Sequence, residues 1–186
     1  MKSQILFKND WLSVRELEDT EKNIKYTYVH SERGIGDCVA ILPFKIENDE
    51  PKFLVRADWI PCWGLDKDVA RPKFMVSITG GIETGGPTQN VIKELKEEAG
   101  YEVTSQDLIE LGASYISKVT SAFAYLYTVN LTDKQPVVAE GQDELEQLGE
   151  TLWVGQKELI MQGADPLLQS MLAKILEIFN TEPEKQ

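Results

Sequence analysis

Between Gly80 and Tyr101 the chain reads GGIETGGPTQNVIKELKEEAGY. No other stretch restricts the fold so narrowly. Two glycine pairs lead into a short helix. Pro87 suits the first turn of that helix, where its missing N–H is no loss. Gly100 is a natural C-terminal stop. Val91, Ile92, Leu95 and Ala99 recur at helical spacing and make one apolar stripe. Glu94, Glu97 and Glu98 stand at i, i+3 and i+4 and share one face. Like charges at those spacings repel, and the chain already carries a net charge of −12. The segment is therefore a helix that packs along one side and needs its carboxylates compensated on another.

Three clustered carboxylates make a hard oxygen site suited to Mg²⁺ or Mn²⁺. Magnesium keeps several waters and often bridges to substrate phosphates. The glycine-rich turn ahead of the helix lets backbone groups approach a ligand closely. A divalent cation among the acids would explain why they are tolerated. A solvated acidic face is the ordinary reading of KELKEE alone, since Glu and Lys are good helix formers. The glycine pair, the preceding strand and the Gly100 stop argue for a site instead.

The flanking sequence reads mostly as strands. WLSVREL (11–17) and KYTYVHS (25–31) alternate, with DTEKN as the turn between them. CVAILPFKI (38–46) is a continuous apolar run, as in a buried strand. KFLVRAD (52–58) follows the polar turn ENDEP. A long connection, 59–73, carries Trp59, Trp63 and Arg71, and loops of that length are often functional. FMVSI (74–78) reads as a strand ending at the glycines. LIELGASYISK (108–118) and AFAYLYTVNLT (122–132) form a strand pair, and TLWV (151–154) a last strand. Leu167, Leu168, Met171, Leu172, Ile175, Leu176 and Phe179 mark an amphipathic C-terminal helix. This mixture predicts an α/β (α+β) architecture, a sheet covered by helices on its faces.

A chain of 186 residues fits one domain. We divide it into N-terminal strands over 1–35, a core over 36–155, a C-terminal helix over 156–180 and a frayed tail over 181–186. The acidic balance disfavours a nucleic-acid backbone or an anionic membrane as partner. It leaves room for small anionic ligands, because a bound cation reverses the local field. Cys38 and Cys62 form no CxxC pattern, which disfavours a disulfide framework or a zinc site. No apolar run approaches membrane-spanning length, and MKSQILFKNDW lacks the h-region of a signal peptide. The cytoplasm is the expected location.

Gly80-Gly81 followed by Lys93-Glu94-Leu95-x-Glu97-Glu98-x-Gly100-Tyr101 resembles the Nudix box, the signature of Nudix pyrophosphohydrolases. The second half matches well. In the first half the usual arginine is Lys93, the glycine pair stands two residues closer to it, and the isolated glutamate before the helix has Glu83 as its nearest acid. The order LFKNDWLSVREL, VAILPF, KFLVR, box and TLWV is similar to the ADP-ribose pyrophosphatase branch over most of residues 5–155. The resemblance implies a Nudix-type mixed β-sheet sandwiched between α-helices, with N-terminal antiparallel strands. It also implies a Mg²⁺ (or Mn²⁺) site on Glu94, Glu97, Glu98 and the Gly81 carbonyl, and hydrolysis of a nucleoside diphosphate joined to another group. ADP-ribose, a nucleotide sugar or a similar dinucleotide are the substrates it suggests.

Glu97 and Glu98 are then candidate catalytic residues. A base from the loop before the last strand often assists in this family. In AEGQDELEQLGE (139–150) Glu144 and Glu146 are candidates for it, with Glu140 behind them. Candidate substrate-binding residues are Arg56, Trp59 and Lys93, with Trp59 and Trp63 able to stack a base or sugar. Arg71 and Lys73 are ordinary surface charges unless they meet a phosphate. His30 reads as a plain strand residue, Cys38 as core, and residues 117–121 as a hairpin turn. Two other readings stay open: a non-catalytic Nudix-fold nucleotide-binding or regulatory module, and an interaction scaffold. A homodimer through the N-terminal strands is compatible with any of them.

Overall fold

The computed structural model describes residues 1–64, 73–139 and 146–181, apart from the side chain of Glu146. Arg71, Glu140 and Glu144 lie outside the described residues.

The chain opens with three antiparallel strands, β1 (Lys2–Lys8), β2 (Leu12–Asp19) and β3 (Ile24–Ser31). Their spatial order is their sequence order, as expected where short polar turns join alternating strands. β1 was not singled out in the sequence. It is exposed along its whole length, so no buried face writes a period-2 pattern into it.

The apolar run CVAILPFKI is two strands, β4 (Cys38–Ile41) and β5 (Phe44–Glu47), rather than one. Pro43 interrupts it, because proline has no N–H for a ladder. Its carbonyl still accepts from the Leu54 N–H at 2.9 Å. β6 (Glu50–Trp59) leads into a short helix, α1 (Pro61–Gly64). FMVSI is likewise divided. β7 (Lys73–Val76) pairs with β6, while β8 (Ile78–Gly81) crosses to pair with β4. Gly80 and Gly81, read from sequence as part of a turn, lie inside β8 opposite Val39 and Cys38.

Helix α2 (Pro87–Glu97) starts at its proline and passes through Glu98 to Gly100. Gly100 sits at φ +70, and the Tyr101 N–H reaches back to the Leu95 carbonyl at 2.9 Å, closing the helix as the sequence predicts. β9 (Leu108–Tyr115) and β10 (Phe123–Val129) form the antiparallel pair. β11 (Glu150–Gly155) follows, and the single C-terminal helix expected over 156–180 is two, α3 (Gln156–Gln162) and α4 (Pro166–Thr181). Asp165 starts α4: its Oδ1 accepts the Leu167 N–H at 2.9 Å, while Oδ2 accepts from the Ser77 backbone N–H and hydroxyl. One carboxylate thus pins the start of α4 to the break between β7 and β8.

The central mixed sheet runs β8-β4-β10-β9, with β4 and β10 parallel. A second, antiparallel sheet runs β11-β6-β5, with β7 also on β6. Successive residues of β4 and β6 alternate between two cores. Ala40, Phe53 and Val55 join α4's Leu168, Met171 and Leu172. Val39, Ile41 and Leu54 join α2's Val91 and Leu95. No helix among the described residues is long and apolar enough to cross a membrane.

Candidate active site

Helix α2 lies against β8 and β4. The approach is close because residue 80 is glycine. A Cβ there would collide with the Glu94 carboxylate. Glu94 and Glu98 are buried, at 8% and 7% exposure, which is unusual for carboxylates and demands partners.

Arg56 supplies one partner. It is 1% exposed on β6, with its Nε donating to Asp58 Oδ1 at 3.0 Å and standing 3.8 Å from Glu98 Oε2. Two residues apart on a strand, Arg56 and Asp58 share a face. Arg56, a candidate substrate-binding residue, thus stands between the carboxylates of Asp58 and Glu98. Lys93 Nζ stands 3.6 Å from Glu97 Oε2 along α2. Part of the compensation that the acidic helix needs thus comes from the chain's own cations.

Glu94, Glu97, Lys93, Gly80 and Gly81 line one cavity of about 620 Å³. That volume is within the range of small-molecule sites. Trp59 and Trp63 also line it, Trp63 resting edge-on against Phe74 with ring centroids 5.4 Å apart. So do Glu83 and three charged residues not singled out in the sequence: Arg33, Asp58 and Asp165. The wall formed by the described residues carries five carboxylates (Asp58, Glu83, Glu94, Glu97, Asp165) against two cations, Arg33 and Lys93. Cys38, expected in the core, packs half-buried against the core on α4's side and also reaches this wall. Burial, with help from the charges of Asp37 and Asp165, pushes its thiol up to about 11.

Of the proposed bases, Glu146 begins a 3-10 turn, Glu146–Leu148, against β6. The following Gly149 backbone abuts the side chains of Asp58 and Arg56. The turn at 146–149 therefore lies beside Asp58 of the cavity wall. The hairpin tip at 117–121 instead docks on the N-terminal sheet, where Val29 N–H donates to the Val119 carbonyl at 2.8 Å and His30 Nδ1 meets Ser121 Oγ at 2.7 Å.

The carboxylates at the cavity are hard oxygen donors, which suit Mg²⁺ or Mn²⁺ in kind. Among the described residues no three His, Cys, Asp or Glu side chains are drawn together tightly enough to cage an ion. Glu98 is turned toward Arg56 and Glu97 toward Lys93.

No family model and no curated protein matches the chain. Solved structures do. A crystal structure of an ADP compounds hydrolase superposes with a TM-score of 0.67 at 16% identity, covering 97% of this chain and 92% of that one. The chain has the Nudix fold. The NUDIX domain of Shewanella oneidensis NrtR, solved with ADP ribose, matches with a TM-score of 0.53 at 14% identity over 76% of this chain and 86% of that one. A Nudix hydrolase from M. smegmatis, RenU, matches at 0.50 and 12% identity over 90% and 97%. The segment that resembles the Nudix box spans β8, with its glycine pair, and α2.

Proposed function

We propose that the chain is a metal-dependent hydrolase cleaving the pyrophosphate bond of a nucleoside diphosphate joined to another group, such as ADP-ribose or a nucleotide sugar. One observation carries this reading: the acids of α2 and the glycines of β8 line one ligand-sized cavity whose described walls hold more carboxylates than cations. Such a cavity repels a pyrophosphate unless a cation joins it. Glu94, Glu97, Glu98 and the Gly81 carbonyl would hold Mg²⁺ or Mn²⁺, which when bound neutralises the pyrophosphate and lowers the pKa of a coordinated water.

The chain's own residues do the rest. Arg56 positions Glu98 and Asp58. Lys93, on the exposed side of α2, is free to leave Glu97 for a phosphate oxygen. Trp59 and Trp63 offer aromatic surface to a base or sugar. Glu144 or Glu146 serves as the general base, Glu146 standing three residues before Gly149, which abuts Asp58 and Arg56. The similarity to the ADP compounds hydrolase and to a domain solved with ADP ribose supports this substrate class.

Phosphate release is the test, across nucleoside diphosphate derivatives with Mg²⁺, Mn²⁺ or EDTA, for the parent and for Glu97→Gln and Glu98→Gln. Metal-dependent turnover that collapses in both variants is expected. No turnover, with the same ligands still raising the melting temperature, would leave a nucleotide-binding module. We also propose a homodimer. β1 and its neighbours expose Ile5, Leu6, Phe7, Trp11, Ile24 and Tyr26, an apolar surface of the kind that pairs subunits. Light scattering of the parent and of Phe7→Glu checks it, the variant being expected as a monomer.

A further inference from the structure

We propose, resting on the hydrolase reading, that Arg33 grips a phosphate oxygen of the nucleoside diphosphate, and that the N-terminal sheet holds it in place for that task. Arg33 lies in SERGIGD (31–37), a loop tied on three sides. Toward β8, the Ile35 N–H donates to the Ile82 carbonyl at 3.1 Å and the Ile82 N–H to the Asp37 carbonyl at 3.0 Å. Toward β10, Asp37 Oδ1 accepts the Phe123 N–H at 3.0 Å. Toward the N-terminal sheet, the Glu32 N–H donates to the Trp11 carbonyl at 2.9 Å. Gly34 makes the first of these contacts possible. It sits at φ +52, and a Cβ there would collide with the Ile82 carbonyl.

Ile82 directly follows the Gly80-Gly81 pair, so the loop delivers Arg33 to the same cavity wall. The guanidinium lies 4.2 Å from the centroid of the Trp11 ring. A planar guanidinium stacked on an aromatic face keeps its edge N–H groups available, and that edge matches phosphate in a fork.

Its place among the ion pairs is equally telling. Asp and Glu number 31 against 19 Lys and Arg, so an arginine finds a carboxylate easily. Arg15 pairs with Glu32, and Arg56 with Asp58 and Glu98. Among the described arginines Arg33 alone has no carboxylate within 4.0 Å, although it shares a cavity with five. A cation stacked on tryptophan and left unneutralised at an acidic cavity is placed for an anion that enters with a metal.

The test is calorimetric binding of ADP with Mg²⁺, beside kinetics on ADP-ribose. Arg33→Ala should weaken ADP about tenfold and raise KM by a similar factor, with kcat within about twofold. Arg33→Lys should recover part of the loss, since it keeps charge but loses the fork. Trp11→Leu should fall between parent and Arg33→Ala, with its melting temperature reporting any loss of folding. Adenosine, lacking phosphate, should bind Arg33→Ala and the parent alike. Equal ADP affinity in a folded Arg33→Ala would overturn the proposal. So would an equal weakening of adenosine, or a parent that binds neither ADP nor pyrophosphate. A parent that binds ADP but hydrolyses nothing removes the hydrolase reading, and the ADP comparison still decides Arg33.

Discussion

The two long helices cover opposite faces of the central sheet by different means. α4 buries Leu167, Leu168, Met171, Leu172 and Ile175, all apolar. α2 buries Val91 and Leu95, but also Asn90 and Glu94, with Glu98 just past its end. Asn90 is satisfied by the carbonyls of Thr84 and Gly86, both at 3.0 Å, and Glu98 faces Arg56. One face of the sheet is therefore held by packing and the other partly by polar pairing. Packing is nearly indifferent to charge, whereas polar pairing fixes where each charged group points. Among the described residues the buried carboxylates are Glu94 and Glu98 on the α2 side and Asp165 at the start of α4, so the body of α4 is apolar while that of α2 is not.

The strongest way to break this contrast is to remove the cation beneath α2. Arg56→Leu takes the guanidinium away from the half-buried Asp58 and the buried Glu98. A loss of roughly 3–5 kcal/mol is expected, measured by urea unfolding. A near-neutral Arg56→Leu would mean that the α2 face is also held by packing.

Met171→Ala probes the other face. Met171 is fully buried among Leu168, Leu172 and the strands. A cost of about 2–5 kcal/mol is expected, with KM unchanged in the fraction that remains folded. Its counterpart is Glu97→Gln, whose side chain is 32% exposed and sits 3.6 Å from Lys93. Its unfolding free energy should move by less than about 1 kcal/mol, since such pairs contribute little, while turnover falls by about a hundredfold or more. A variant pair that lost stability and activity in the same proportion would dissolve the division between the faces.

Much of this arrangement is legible in the sequence, for a physical reason. α2 is defined by local signals, Pro87, Gly100 and a helical stripe, and these act within a turn or two of where they stand. The strands were legible as apolar runs but not as separate elements. Pro43 and Ser77 divide two of them, and Ser77's role depends on Asp165, far along the chain. Gly80 and Gly81 read as a turn because glycine is a turn residue. Their pairing with β4 and the pressure of Glu94 are contacts at a distance. Arg33 was invisible for the same reason. Its loop is organised by Ile82, Phe123 and Trp11, and only the two glycines in SERGIGD hinted at tight backbone.

The smallest expected effect sharpens the contrast through pH. Glu32 accepts from Lys8, Ser13 and Arg15, and these bonds pull its carboxyl down to about 2 from an ordinary 4.5. A carboxylate with a depressed folded pKa contributes its stability above the unfolded value and loses it as pH falls toward the folded one. The window is therefore about pH 4.5 down to about 2. The cluster ties β1 and β2 to the loop that carries Arg33, and it is solvent-accessible, so a local loosening rather than global unfolding is expected. Hydrogen exchange read across that window should show the amides of β1 and β2 losing protection before those of α4, whose buried face is apolar. Glu32→Gln should remove the pH dependence of that local opening. If α4 opens first, or both regions open together in the variant and the parent, then the charge-held side is no more sensitive to protons than the packed one, and the division between the two faces does not extend to the N-terminal sheet.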